Sequence, residues 1–288
     1  MRVAIGDVVS PKVSVILPCR DHGRFLGEAL ASLDAQTRQD FEVVIVDDGS
    51  TDPDTITFLR NLSHPKVRVR SVAPSGVTRA RNLGIAETSA PYLSFFDADD
   101  RMHPEFLERT LDVLEANPGI AFVSTWARLF GDEEWEWKPT RCDFPRLLHE
   151  CSVATASLVR RSVVEEVGGF DAECELGHED WELWLSIVER GHRGQILPQI
   201  LFDYRRAGES RSSTADRIGI HLELYRDRIR KHEGVYRSEL FELLWLKESE
   251  VLGPLHTSLA AKRAEVAREL EPRVELLRTR LDAALQKP

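Results

Sequence analysis

The sequence predicts an α/β fold, with a mixed, mainly parallel central sheet flanked by helices and a helical extension at its C-terminal end. Three observations carry this. Apolar runs of strand length recur at Val13–Leu17, Val43–Val46, Val67–Val72 and Tyr92–Phe96, each rich in β-branched or aromatic residues. Helix-period or turn-rich segments separate the first three, the rhythm of βαβ units. From Ala215 onward the composition changes to long patterns of Leu, Glu and Arg without glycine-punctuated strands, which reads as helix.

The elements follow in order. After the first strand, Phe25, Leu26, Ala29, Leu30 and Leu33 repeat at helical spacing and form one apolar stripe able to pack on a sheet. Pro104 sits where a first helical turn tolerates proline. Phe106, Leu107, Leu111 and Leu114 give the next stripe, ended by Asn117-Pro118-Gly119. A strand is expected at Ile120–Ser124. Trp126 to Pro145 is rich in Trp, acids and turn residues and reads as an irregular pocket wall. Val153–Val159 then reads as a strand and Ser162–Val167 as a short helix. In the extension, Val266, Leu270, Val274, Leu277, Leu281 and Leu285 make a stripe that Pro272 is expected to interrupt. The stripe lasts under three heptads, so a helix folded back on its own domain is preferred over a homo-oligomer built through these helices. The expected organisation is residues 11–125 and 126–214 as two halves of one domain, and 215–288 as the extension.

Composition narrows the class. A chain of 288 residues with 42% hydrophobic content can hold one large α/β domain plus an appendage, or two modest domains. A formal charge of -10 argues against nucleic acid as the main ligand, because affinity for a polyanion comes from cationic surface. Met1 to Ser10 has no apolar core of signal-peptide length and no later run reaches the length of a membrane span. A cytoplasmic chain is expected. Its Arg-rich helices allow peripheral contact with the inner membrane face without any span. Cys19, Cys142, Cys151 and Cys174 show no zinc spacing and read as reduced thiols.

Two strand ends carry the chemistry. Tyr92-Leu93-Ser94-Phe95-Phe96 runs into Asp97-Ala98-Asp99-Asp100, and ligands of open α/β sheets bind outside the carboxyl ends of strands. Asp97 and Asp99 are two apart, so in extended backbone they lean to one side. Crowded carboxylates repel unless a cation or donor lies between them. The alternative is a solvated acidic turn before the next helix. Val43-Val44-Ile45-Val46 likewise runs into Asp47-Asp48-Gly49-Ser50-Thr51-Asp52. Helix capping accounts for Ser50 or Asp52, but two adjacent acids at a buried strand end are costly without partners.

Five ordered blocks resemble the family 2 glycosyltransferases, with their GT-A nucleotide-sugar-binding fold. They are Val13-Ser14-Val15-Ile16-Leu17-Pro18; Glu42 through Asp52; Ala80-Arg81-Asn82-Leu83-Gly84-Ile85; Phe96-Asp97-Ala98-Asp99-Asp100 with Pro104; and Gly168-Gly169-Phe170-Asp171 followed by Gly177-His178-Glu179-Asp180-Trp181-Glu182-Leu183-Trp184. The likeness spans about residues 11 to 212. It implies an inverting, metal-dependent transfer from a nucleotide-diphospho-sugar, with UDP or dTDP as the donor nucleotide. The acceptor hydroxyl would belong to a glycan, a lipid-linked sugar or a small molecule, in polysaccharide, glycolipid or glycosylated-metabolite synthesis.

By this resemblance Asp99, with Asp97, holds Mg²⁺ or Mn²⁺, ions that carboxylate oxygens select. Asp97 also reaches the ribose or a metal-bound water, Asp48 bonds the base, and Pro18, Cys19 and Arg20 line the nucleotide pocket. Arg81 meets phosphate or holds Asp97. Asp180 is the catalytic base beside Glu179, and Trp181, Trp184 and His178 line the acceptor and sugar pocket. Two departures stand out. Cys19-Arg20-Asp21 replaces the Thr-Tyr-Asn often found after the first proline, and Ala207 fills a slot where many members carry histidine. Arg205, Arg206 and Arg211, with Ser210 and Ser212, read as a phosphate-neutralising or a solvated loop. Two other readings remain: a non-catalytic nucleotide-sugar or glycan-binding protein of the same fold, and a nucleotidyl- or phosphoryl-transfer enzyme. The second lacks a Gly-x-x-x-x-Gly-Lys-Ser/Thr loop.

Overall fold

A computed structural model describes residues 10–174, 177–207 and 218–285. All four expected strand runs form the parallel half of one sheet. β1 (Val13–Cys19) pairs in parallel with β2 (Phe41–Asp48) and β4 (Tyr92–Phe95), and β2 pairs with β3 (Val67–Val72). The strand order β3-β2-β1-β4 continues through β8 (Leu158–Arg160), β6 (Ile120–Gly131), β9 (Arg193–Arg206) and β5 (Arg101–Met102), with β7 (Trp135–Trp137) attached to β6. Antiparallel pairing enters at β4–β8, so the sheet is mixed, with its β1–β2, β2–β3 and β1–β4 pairs parallel. The register aligns strand ends. Cys19 lies opposite Asp47, and Ile16 lies opposite Phe95, which leaves Asp97 to Asp100 just beyond the same edge.

Helices α1 (Gly23–Asp34), α2 (Pro53–Asn61), α3 (Val77–Ala86) and α4 (Phe106–Ala116) flank this half. Leu26, Ala29, Leu30 and Leu33 of α1 are buried, while Phe25 stays half-buried at its start. Asp52 caps α2 by accepting from the Thr55 backbone N–H at 2.9 Å. In α3, a Cβ on Gly84 would overlap Ile16 Cγ2 of β1, a branched and buried group that cannot swing away. Gly84→Ala is therefore expected to destabilise the protein by about 1–3 kcal/mol through overpacking. Thermal unfolding of the purified variant measures this, and an unchanged midpoint would contradict the close helix–strand approach.

Three expectations change in the second half. The segment after Ser124 is strand rather than irregular wall, since β6 runs on to Gly131 and β7 folds back on it. A register shift at Thr125/Trp126 breaks the alternation that would have signalled it. β9 escaped sequence reading because Pro198 and Gly194 interrupt it. Pro198 falls where the pairing skips from Leu197 to Ile200, a place needing no ladder N–H. The strand expected at Val153–Val159 shrinks to Leu158–Arg160. The short helix stands as α6 (Arg161–Glu166), preceded by α5 (Arg146–His149) and followed by α7 (Glu179–Glu189).

The chain divides into two compact units, residues 1–237 and 238–288. Helices α8 (Ile218–Lys231) and α9 (Glu233–Ser238) come next in the chain. Tyr225 and Tyr236 both donate to the Leu148 carbonyl, at 3.0 and 2.9 Å. His232 lies between Glu182 and Glu189 of α7, at 2.9 and 2.6 Å. Burial would lower the His232 pKa, but these two carboxylates outweigh it and raise it. The second unit holds α10 (Leu240–Leu246), a π-helical turn and α11 (Gly253–Leu285). Pro272 lies inside α11 and does not end it. Val266, Leu270 and Val274 are exposed, and the side chains of Leu277, Leu281 and Leu285 lie outside the described residues. Among the described residues no helix is long and apolar enough to cross a membrane.

Candidate active site

The carboxyl ends of β1, β2 and β4 and the N-terminus of α7 bring most of the expected residues together. Arg81 is the hub. It is 2% exposed, and its two terminal nitrogens donate to Asp97 at 2.7 Å and Glu179 at 2.8 Å. Its Nε is buried without a hydrogen-bond partner. Burial alone would lower the Arg81 pKa, yet the carboxylates of Asp97 and Glu179 outweigh it and raise it. Of the two expected tasks, the geometry fits the holding of Asp97. Arg81 is the brace of Asp97, with no exposed edge left for a phosphate.

The acidic loop is held from behind. Asp100 is buried and accepts the Arg205 backbone N–H at 2.8 Å. Burial, then the neighbouring Asp99 charge, lifts Asp100 well above the ordinary carboxylate range. Arg205 also donates Nε to the Asp99 carbonyl at 2.7 Å, pairs with Glu28, and lies over Phe25 and Phe130. It is neither a solvated loop residue nor an open phosphate ligand. Arg211, Ser210 and Ser212 lie outside the described residues. Asp97 and Asp99 keep 30% and 27% of their side chains exposed. Burial, then repulsion from Asp97, raises the Asp99 pKa. His22 Nδ1 lies 4.0 Å from Asp99 Oδ2.

Among the described residues no three His, Cys, Asp or Glu side chains form a complete metal cage. Asp97 and Asp99 nonetheless fit a hard divalent ion. They are part-exposed oxygen donors two residues apart just beyond one strand end, and such ions commonly take their remaining ligands from phosphate and water.

Asp48 departs from its expected task. Its carboxylate accepts from Ser75 N at 2.6 Å, Ser75 Oγ at 2.8 Å and Gly76 N at 2.9 Å, so it anchors the turn into α3. Asp47 accepts from Ser50 N at 3.0 Å. These bonds account for both buried acids. Pro18 and Cys19 lie at the same strand end, Cys19 buried with its thiol pushed up to about 11 by burial, while Arg20 is exposed. Asp21 sits in the left-handed region at φ 56° and accepts from the backbone of Thr51 and Asp52 at 2.6 and 2.7 Å. It ties the first strand's exit to the second.

The α7 acids have different tasks. Glu179 is spent on Arg81, whereas Asp180 accepts the Thr155 hydroxyl at 2.7 Å and the Trp181 N–H at 2.8 Å. Burial, then the Glu179 charge, raises the Asp180 pKa. Thr155 had no signal in the sequence. The tryptophans are corrected: Trp184 is 0% exposed and packs on Phe122 at 5.0 Å, so it is core and offers no face to a sugar. Trp181 is also buried, donating to Leu147 O at 2.6 Å, with the Arg228 guanidinium 3.5 Å above its ring. His178 precedes α7 at φ 61° and remains half-buried beside Trp181, at 5.4 Å.

Comparison with known proteins accords with this geometry. The model for glycosyl transferase family 2 matches residues 14–168, more than half of the chain. The chain belongs to this family. It is 28% identical over 198 residues to an uncharacterized glycosyltransferase of Rickettsia bellii, covering 66% of this chain and 28% of that protein. It is 39% identical over 114 residues to one from Nostoc sp., covering 39% and 35%. The chain thus spans about a third of the length of the relatives it matches. Among solved structures, S. aureus TarS 1-349 in complex with UDP-GlcNAc superposes with a TM-score of 0.65, at 20% identity, over 83% of this chain and 73% of that one. That likeness shows the fold, the GT-A α/β architecture. The family match covers every strand-end acid but stops short of Asp180.

Proposed function

We propose that this family 2 protein is an inverting, metal-dependent glycosyltransferase that moves a sugar from a nucleotide-diphospho-sugar to an acceptor hydroxyl. The observation that carries this reading is the Arg81 bridge, which ties the half-open Asp97 of the donor-side loop to α7, the helix that bears Asp180. One residue fixes the spacing between the diphosphate end and the base. Asp99 and Asp97 would hold a Mg²⁺ or Mn²⁺ ion, whose charge supports the diphosphate leaving group. Arg205, from behind, keeps the Asp99 carbonyl and the Asp100 carboxylate in place.

Asp180 takes the proton of the acceptor hydroxyl as that oxygen attacks the anomeric carbon opposite the nucleotide. In-line displacement inverts that carbon. The Thr155 hydroxyl orients the carboxylate, and burial keeps its basicity above that of a surface aspartate. The donor proposed is a UDP- or dTDP-sugar. The acceptor proposed is a glycan, a lipid-linked sugar or a small molecule, met in the cytoplasm or at the membrane's inner face. The solved relative bound to UDP-GlcNAc supports the uridine choice.

Calorimetric titration of UDP and dTDP, with Mn²⁺ and then with EDTA, tests the donor site. Binding is expected only with the metal, and Asp99→Ala is expected to weaken it by at least tenfold. Equal binding in EDTA would reject the metal-dependent reading, and released pyrophosphate in place of nucleoside diphosphate would reject glycosyl transfer.

A further inference from the structure

Arg228 of α8 is 3% exposed, yet its Nε and Nη1 have no hydrogen-bond partner. Its remaining nitrogen lies 3.2 Å from His178 Nδ1. Among the described residues it forms no ion pair. The acids around it do not compensate its charge at neutral pH. Burial pushes the Cys151 thiol well up, the Cys174 thiol to about 12 and the Tyr236 phenol upward, and Glu182 is taken by His232. Burial lowers the Arg228 pKa, but a guanidinium stays charged in proteins. A buried, unneutralised cation with free donors is expensive and is kept where something binds it.

Its surroundings form a small cage. The guanidinium lies on the Trp181 ring at 3.5 Å, and His178 meets Trp181 at 5.4 Å and His221 at 5.8 Å. His178 is also the residue before α7 and makes no side-chain cap bond there, while Asp180 takes the Trp181 N–H of the first turn. Asp180 lies two residues further on.

We propose that Arg228 and His178 form an acceptor subsite for an oxyanion, so that the acceptor carries a phosphate or carboxylate within one helical turn of its reacting hydroxyl's base. The acceptor role rests on the glycosyl-transfer reading; the oxyanion site does not. The unpartnered Nε–H and Nη1–H lie on different edges of the guanidinium, so each offers a single charge-assisted bond to an oxyanion, and the aromatic rings shield them from water. Arg228 acts on the acceptor's position and takes no proton.

The test is thermal unfolding of the full chain in EDTA, which leaves the donor site without its cation, with sodium phosphate or sodium acetate at ionic strength held constant by sodium chloride. At about tenfold the dissociation constant, either anion is expected to raise the midpoint by roughly 2–4 °C. The larger response names the acceptor's group. Arg228→Met is expected to melt no lower than the native chain in plain buffer and to lose the response, while Arg228→Lys keeps part of it. The proposal fails if neither anion shifts the native chain, if Arg228→Met keeps the shift, or if Arg228→Met melts several degrees lower or does not fold, the mark of a structural arginine. UDP binding with Mn²⁺ is measured alongside and is expected to persist in Arg228→Met. Its absence in the native chain would sink the transferase reading while leaving the anion shift to stand or fall alone.

Discussion

Under the proposed mechanism, Asp180→Asn is expected to lower the sugar-transfer rate by about 10²- to 10⁴-fold, the usual share of a general base, while donor binding and fold persist. The amide retains an oxygen for the Thr155 hydroxyl and the Trp181 N–H, so the start of α7 keeps its bonds. Stability moves the other way. The native-state pKa of Asp180 is raised above its unfolded value, so its ionised form is a liability at neutral pH. That liability is absent below the unfolded pKa and is felt as pH rises through the folded one. The Asn variant should therefore melt at or above the native temperature at pH 7, with the difference shrinking in acid. The pH–rate profile gives a second reading. Activity falls as pH drops through the raised Asp180 value, and Thr155→Val, which removes a bond to the charged form, moves that limb to higher pH. Full turnover in Asp180→Asn would reject the base assignment; an unmoved limb in Thr155→Val would reject the hydroxyl's role.

Arg81→Met is expected to cost about 3–5 kcal/mol of stability, the range for removing one partner of a buried ion pair. The methionine fills much of the volume but leaves Glu179 and Asp97 facing each other without the cation that joins them. Because Asp97 is nearly a third exposed, water offsets part of the loss, which places the expectation at the lower end. Urea unfolding measures it as a lower midpoint at unchanged slope. Adding Glu179→Gln to Arg81→Met should recover part of the loss, since the second change removes one stranded charge. A single-variant cost below about 1 kcal/mol, small for a buried-pair deletion, would mean that the bridge does not hold the two halves together. Donor binding should weaken as well, because Asp97 loses its brace.

Local chemistry made much of this molecule legible. The apolar runs placed β1 to β4, the Leu26 and Leu107 stripes placed α1 and α4, and the acids following β2 and β4 pointed to one sheet edge. Period and strand-end position are properties of neighbouring residues, so the chain displays them directly. β9 and the full length of β6 stayed hidden because their pairing contains bulges around Trp126 and Pro198, and a bulge erases the alternation by which a strand is read.

Side-chain allegiance was decided only in three dimensions. Asp48 and Asp97 look alike in sequence, each an acid at a strand end. Only folding commits Asp48 to Ser75 and Gly76 while leaving Asp97 half-open against Arg81. Trp184 looked like a sugar platform and is core against Phe122. Thr155, Glu28 and Arg228 carried no signal, because their partners lie 25, 177 and 50 residues away along the chain. The sequence by itself determined the fold class, the family and the edge where the acids gather. The tertiary structure decided which acids are spent on holding the site and which remain open, because hydrogen bonds and burial depend on neighbours that only the folded chain supplies.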